Sequence, residues 1–397
     1  MSTVIGTGIS VKLDSLMAGK EAALNAYHQI GRSEPGIIIA FISAIFDQEA
    51  AIKGIHSVIR DTPLIGCSSI GSISTYGSNK DSVAVFIISS DSMRFSCGTG
   101  DKVSKNPRLA GSKAAMKTLN SSHKFKPKQA YMIFSESMLV NGTDILRGSQ
   151  EVLGTSLHII GGGACNKSCL QKTYQYIDTE IETDSVAGLL ISGDIRLGIG
   201  VANGWQPIGR PHRVTRAKSN IIREIDRKIA AGIYEEYFER PFEELKNEGI
   251  CKLGINYPLG INQADKNKEY LTRVPLAIDG NGCLVLNGDI QEGEEVSLMI
   301  GDKEMVLESA KKAAIEAIND IKGAKIKFAV IFSDIARLLL LRNDAYKEIE
   351  VIKESIGRNT PIIGCYTFGE YAPFNINGST GQYHFNNHSI SIILFSE

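Results

Sequence analysis

A threefold internal repeat constrains this chain more than any other feature. Ile37–Ser43 (IIIAFIS) leads through a helix-like stretch to Thr62–Ser74 (TPLIGCSSIGSIS) and then to Ser82–Ser89 (SVAVFIIS). Ala130–Ser137 (AYMIFSES), Leu157–Ser168 (LHIIGGGACNKS) and Ser185–Ser192 (SVAGLLIS) follow the same order. So do Phe328–Asp334 (FAVIFSD), Thr360–Ala372 (TPIIGCYTFGEYA) and Ser389–Ser396 (SISIILFS). Short apolar runs rich in Val, Ile and Phe read as strands covered on both faces. Their alternation with helices requires crossover connections. The chain is therefore expected to be α/β, with repeated strand-helix units forming mixed sheets covered by helices, in two domains.

The repeat extends upstream. Gly6–Tyr27 matches Gly98–Leu119, and both match Ile300–Ile318: a glycine near a strand end, a short connector, then an Ala-rich helix. Alanine, lysine and glutamate lose little side-chain entropy in a helix. Between the second and third units lies an interruption, Arg196–Val296. It predicts a helix over Asn220–Glu239 and a hairpin over Gly282–Ile300 turning at Asn287–Asp289. A boundary near residue 220 divides the chain into 1–220, with two units, and 221–397, with the third unit and the inserted segment.

The repeat also makes an architectural prediction. Gly66, Gly161 and Gly364 should occupy matching tight turns after equivalent strands, and the strand beginning at Val83, Val186 or Ile390 should lie beside the strand that enters its turn. The spacings, 17, 25 and 26 residues, place extra loop in the second and third units, and ligand sites favour such variable rims. The ligand is thus expected beside the second or third turn.

Composition removes several function classes. Lys+Arg 43 against Asp+Glu 44 gives a net charge of -1, with no basic field for nucleic acid. No apolar run approaches the ~20 residues of a membrane helix. The first residues lack a basic region followed by an apolar one, and seven cysteines are widely spread, so a reduced cytoplasm is expected. There is no GxSxG elbow, HExxH or phosphate loop, so no enzyme is expected.

The polar residues that carry chemistry gather near the C-terminus: Asp334, Arg337, Cys365, Tyr366, Glu370, His384 and Asn387. Arg337 could grip a carboxylate in a bidentate fork, and Asp334 or Glu370 an ammonium, which suits an amino acid. The competing reading is a buried structural ion pair between Arg337 and an acid. Cys165 and Cys169 are spaced for neither a strong zinc site nor a redox motif, and they read as free thiols. Cys67 and Cys365 share a repeat position and read as structural. His384 and His388 flank the start of a strand, which disfavours a zinc pair.

Leu189–Asn220 resembles the junction between the N and C domains of the FIST family. TPIIGCYTFGEYAP, IFSDIAR and HFNNHSISIILF resemble the family's C-terminal end. The resemblance covers nearly the whole chain. It implies a sensory module that binds a small ligand and passes its state to a separate output protein, a histidine kinase among the candidates. It also implies an alternative, a haem-binding nitric-oxide sensor. A haem b would need one axial imidazole, and the chain has no CxxCH for covalent attachment. His212 lies in the family junction and His384 near the C-terminal motif. Two departures bear on the pocket. Asp334 stands where the family often has cysteine, and Gly71-Ser72 stands where Gly-Glu is common, whereas Gly369-Glu370 is kept.

Overall fold

A computed structural model describes residues 3–122, 127–137, 140–166, 172–262, 270–374 and 383–397. Each unit contributes an outer strand, a core strand, a corner strand and a closing strand. In the first unit these are Thr3–Ser10, Ile37–Ser43, Leu64–Ser69 and Val83–Ser90. In the second they are Met93–Asp101, Lys128–Ser135, His158–Gly163 and Ser185–Gly193. In the third they are Arg196–Ala202, Ile326–Asp334, Ile362–Thr367 and Ile390–Ser396. The closing strand lies between the outer and core strands, antiparallel to both, and the core and corner strands run parallel. The closing strand therefore neighbours the core strand and not the corner strand, contrary to the sequence expectation. The outer strand forms one edge of each four-strand run, and the corner strand has its far edge open at the other.

That edge is filled by another unit. Each unit sends out a hairpin after its corner strand. Gly71–Ser74 of the first unit pairs with the corner strand of the third. Gln175–Ile177 of the second pairs with the first, and Glu370–Pro373 of the third pairs with the second. The exchange is cyclic, so three sheets close around a shared core without leaving a corner edge unpaired. Phe41, Phe134 and Phe332 mark the centre: equivalent residues of the three core strands, with ring centroids 5.9, 6.4 and 6.1 Å apart.

The Ala-rich helices cover the outer faces at Ser15–Ile30, Pro107–Asn120 and Lys303–Asp320. Asp14, Asn106 and Asp302 cap them, each side chain accepting a backbone N–H three residues on. A Gly-x-Gly step in the outer strand lets the helix settle onto the sheet. A Cβ on Gly8, Gly100 or Gly200 would lie 1.9, 1.9 or 1.8 Å from a helix carbonyl oxygen. The corner glycines obey the same logic and are not turns. A Cβ on Gly66, Gly161 or Gly364 would lie 1.8, 2.1 or 2.0 Å from the core-strand carbonyl beside it.

The interruption is a separate mixed body, Trp205–Gly301, set between the outer strand and the helix of the third unit. Its main sheet joins the long strand Trp205–Lys218 to Leu259–Asn262, Tyr270–Arg273 and Glu295–Gly301 on one side and to Ile221–Ile225 on the other. Ile300 and Gly301 therefore end the inserted body. The outer strand of the third unit is Arg196–Ala202. Residue 220 falls in the connection between Trp205–Lys218 and Ile221–Ile225. The helix expected over Asn220–Glu239 forms only at Gly232–Phe238. Its first half is strand, turned by Asp226 and Arg227 with φ of 50° and 63°. The hairpin expected over Gly282–Ile300 does not form: Leu284–Leu286 pairs with Ile221–Ile225 and Pro275–Ile278, and Glu295–Gly301 pairs elsewhere. Among the described residues no helix is long and apolar enough to cross a membrane.

Candidate functional site

The corner of the third unit differs from the other two in charge. The hairpin residue facing the corner strand is Ser72, Gln175 or Glu370, aligned with Cys365, Cys67 or Gly162. Each bonds the serine that leads into its own closing strand. Ser72 and Ser82 share a bond of 2.6 Å, Ser185 donates to Gln175 at 2.9 Å, and Ser389 donates to Glu370. Thr367 gives Glu370 a second hydroxyl at 2.6 Å. Burial, with the Asp334 carboxylate close by, pushes the Glu370 carboxyl well above the usual range. Asp334 accepts the backbone N–H groups of Ala336 and Gly369.

Arg337 sits on an added helix, Ile335–Leu341, and is fully buried with Glu348. Its Nε donates to Glu348 at 2.9 Å, and Nη2 lies 2.8 Å from the same carboxylate. Nη2 also donates to the Val306 carbonyl at 2.8 Å. Nη1 reaches the Asn203 and His388 carbonyls and the Ser309 hydroxyl. Five donors thus meet acceptors inside the protein. The geometry is that of the structural ion pair, with Glu348 as the acid, and no fork is left for a ligand carboxylate. Cys365 faces the central core beside Cys67, where burial raises its thiol. Tyr366 points its hydroxyl at Ser78, 2.6 Å away in the first unit's hairpin. Neither joins the C-terminal polar group expected from the sequence.

His384 and Asn387 do lie in a distinctive place. Beyond the hairpin strand Tyr383–Asn386 the chain packs against the inserted body. Thr272 donates to the Asn387 carbonyl, Arg273 to the Phe385 carbonyl at 2.9 Å, and His388 Nε2 lies 2.8 Å from the Ile255 carbonyl. The Trp205 and His388 rings meet edge to face at 4.7 Å. Along this seam the polar atoms run out of partners. Of the eleven buried side-chain N and O atoms without a hydrogen bond among the described residues, seven lie in His384–Ser391. They are His384 Nε2, both amide atoms of Asn386 and of Asn387, His388 Nδ1 and Ser391 Oγ, the last opposite Phe332 in the register and so turned toward the central core, away from Trp205. Trp205 Nε1 is an eighth, on the facing wall. Each unpaired buried group costs ~1–3 kcal/mol, so the cluster would cost on the order of 10 kcal/mol if left dry, comparable to a whole domain's stability.

Burial drives His384 down to about 4, with the Arg273 cation adding to the fall, and burial also lowers His388. Arg273 itself is pulled to about 10 by burial. A groove of about 1010 Å³ opens outside the seam, lined by Asn203, Gly204, Trp205 and Ser309 together with Met305 and Val351. Trp205 therefore separates the groove from His388.

The residues that sequence reasoning missed are Trp205, Arg273, Asn386 and Glu348. Three of them become neighbours of the motif only through the inserted body or the fold. Glu348 lies on a helix, Ala345–Ile356, among alternating charges, with nothing local to distinguish it from a solvated acid. His212 is wired differently from the seam histidines: Nδ1 lies 2.8 Å from Asp226, and Nε2 is buried without a partner. Cys169 and His123 lie outside the described residues, and no group of three or more metal-ligating side chains occurs among those described.

A FIST N domain model matches residues 36–228 and a FIST C domain model matches residues 230–373. An uncharacterized protein of Methanocaldococcus jannaschii is 26% identical over 365 residues, covering 87% of this chain and 65% of its own length. The chain thus spans less than two thirds of that relative. An uncharacterized protein of Mycobacterium tuberculosis is 21% identical over 382 residues, covering 93% of this chain and 94% of its own. Among solved structures, a cyanuric acid hydrolase from A. caulinodans aligns over 99% of both chains at 7% identity and a TM-score of 0.40, too low a likeness to carry any property across.

Proposed function

This chain belongs to the FIST family of sensory, non-catalytic modules, and from that premise we propose that it senses a small polar molecule held in the seam between the inserted body and the third unit. One observation carries the reading: the run of unpartnered buried polar atoms from His384 to His388. Native interiors leave few such atoms dry, and a cluster of them marks a place for a guest. The chain crosses between the two bodies at Asn203-Gly204 and Gly301-Asp302, and a guest that bridges them would add to the bonds that set their relative position. A separate signalling protein, a histidine kinase being one candidate, would read that position. Cytoplasmic placement goes with this role.

The test is a thermal-shift screen of small metabolites against the purified chain and against Asn387→Ala. A ligand raises Tm because it binds the native state. The reading expects a ligand whose effect is lost in Asn387→Ala. A ligand that stabilises both proteins equally would place the site elsewhere.

A second reading is haem, and His212 is what favours it. A carboxylate on Nδ1 and a free Nε2 form the arrangement that orients a metal-ligating imidazole. Bound haem would supply gas binding at its iron. Titration with haem should then give a Soret band that is lost in His212→Ala. A spectrum unchanged by that substitution removes His212 from the role.

A further inference from the structure

The seam holds a second buried guanidinium, and unlike Arg337 it has no acid against it. Taking the seam as the ligand site, we infer that its guest carries a carboxylate, anchored on Arg273 Nη2 and flanked by the open side-chain amides of Asn386 and Asn387.

Arg273 ends the strand Tyr270–Arg273 of the inserted body and is 3% exposed. Its Nε donates to the Asp289 carbonyl at 2.9 Å. Nη1 donates to the Thr272 carbonyl at 3.0 Å and to the Phe385 carbonyl at 2.9 Å. These bonds spend the single hydrogen of Nε and both hydrogens of Nη1. Nη2 makes no hydrogen bond among the described residues, so its two hydrogens are the ones left to offer. The backbone at Gly288 lies against the same group: a Cβ there would meet Nε at 2.8 Å and Cζ at 3.0 Å. The guanidinium is thus fixed in place with one nitrogen free.

All three of its acceptors are neutral carbonyls. The acids whose charge reaches it are committed elsewhere. Asp289 takes Arg147 on one carboxylate oxygen and Asn141 and Ser219 on the other. Glu294 accepts the Gln291 N–H at 2.8 Å. Neither pairs with Arg273; they act on it only as a more distant field. An enclosed cation without a counter-charge is costly, and at Arg337 the fold relieves that cost with Glu348, 2.8 Å away. At Arg273 the relieving charge has to come from outside the chain.

A carboxylate fits, because it brings one negative charge and accepts on two oxygens. Phe385, whose carbonyl holds Nη1, is followed at once by Asn386 and Asn387. The Asn387 carbonyl in turn accepts Thr272, the residue before Arg273. Both asparagines have an unpaired NH₂ group. One carboxylate oxygen on Nη2 and the other on an asparagine NH₂ would satisfy the cation and an orphaned donor together. The unpaired amide oxygens remain for a donor elsewhere on the guest.

Acetate, propionate and succinamate, each set against its neutral amide (acetamide, propionamide and succinamide), test the inference. Tm and the emission of Trp205, the chain's only tryptophan, are the two readouts. The full chain should bind at least one of the acids, at least ~10-fold more tightly than its amide. Arg273→Gln should erase that preference. Should that variant fail to fold, the preference of the parent still decides, and Asn386→Ser, which keeps Arg273, should weaken the acid while leaving it ahead of its amide. Inorganic phosphate that binds as tightly as the acids would overturn the carboxylate. Amides that bind as tightly as the acids, with Asn387→Ala losing both, would overturn the carboxylate and leave the seam as the site. Acids whose binding survives both Arg273→Gln and Asn387→Ala would overturn the seam itself. Silence toward every acid would overturn the carboxylate, and the wider metabolite screen would then decide the seam separately.

Discussion

The first and third units place the same backbone corner in different chemical surroundings. In the first, the strand Ile37–Ser43 passes directly through Asp47 into the helix Gln48–His56, and the corner closes on two serines, Ser72 and Ser82. In the third, an extra helix, Ile335–Leu341, interrupts that passage and carries Arg337 into the interior. The corner serine meets a carboxyl, Glu370, in place of a hydroxyl. A further body of chain is set between its outer strand and its helix. The hydrogen-bonded frame is the same in both. The comparison teaches that the repeat supplies a rigid corner and that insertions decide what the corner can host. The unpartnered polar atoms cluster beside the corner that gained insertions.

The sharpest way to break this comparison is at the buried ion pair. Arg337→Leu strands the Glu348 carboxylate and should cost ~3–5 kcal/mol in a urea titration. Replacing both residues with leucine should recover much of that loss, because the stranded charge is then gone. Equal losses in the single and double variants would show that Arg337 acts through packing instead.

Next in size is the acid response of His384. Burial holds it near 4 against 6.5 when free, so the unfolded chain binds a proton that the folded chain refuses between those values. Stability from this group is present above pH 6.5 and is lost as pH falls toward 4, by ~3 kcal/mol in all. Glu370 slopes the other way: its raised carboxyl loses stability as pH rises above 4.5. His384→Gln should remove the first slope and Glu370→Gln the second, each seen as the difference from the parent in Tm across pH 4–7. A parent profile unchanged by either substitution would place both groups in ordinary solvated surroundings.

The smallest effect belongs to the first unit. Ser72→Ala removes one neutral hydroxyl pair and should cost ~1 kcal/mol by chemical denaturation. Glu370→Ala leaves two hydroxyls without their acceptor and should cost more. If Ser72→Ala cost as much as Glu370→Ala, the contrast between the corners would be one of sequence without energetic content.

Much of the frame was legible in the chain. The apolar runs at Ile37, Ala130 and Phe328 are core strands, and the Ala-rich stretches are helices whose mostly small side chains let them settle over the Gly-x-Gly steps. The outer strand of the third unit was misplaced because Ile300-Gly301-Asp302 imitates the strand end before the other two helices. The better marker was Gly198-x-Gly200, spaced like Gly6-x-Gly8 and Gly98-x-Gly100. The exchange of hairpins between units leaves no local trace, since pairing partners such as Glu370 and Gly162 lie far apart in the chain. The site was partly legible for the same reason. His384 and Asn387 belong to a visibly polar run, HFNNHS, but Trp205, Arg273 and Ile255 meet it only through the inserted body.

The central claim is that this meeting of the inserted body and the third unit is where the chain binds what it senses. Trp205 tests it most directly, because no other tryptophan contributes to the signal. A ligand that raises Tm should change Trp205 emission in a saturable way, with the same midpoint by both measures. Full stabilisation with Trp205 emission unmoved would contradict the account.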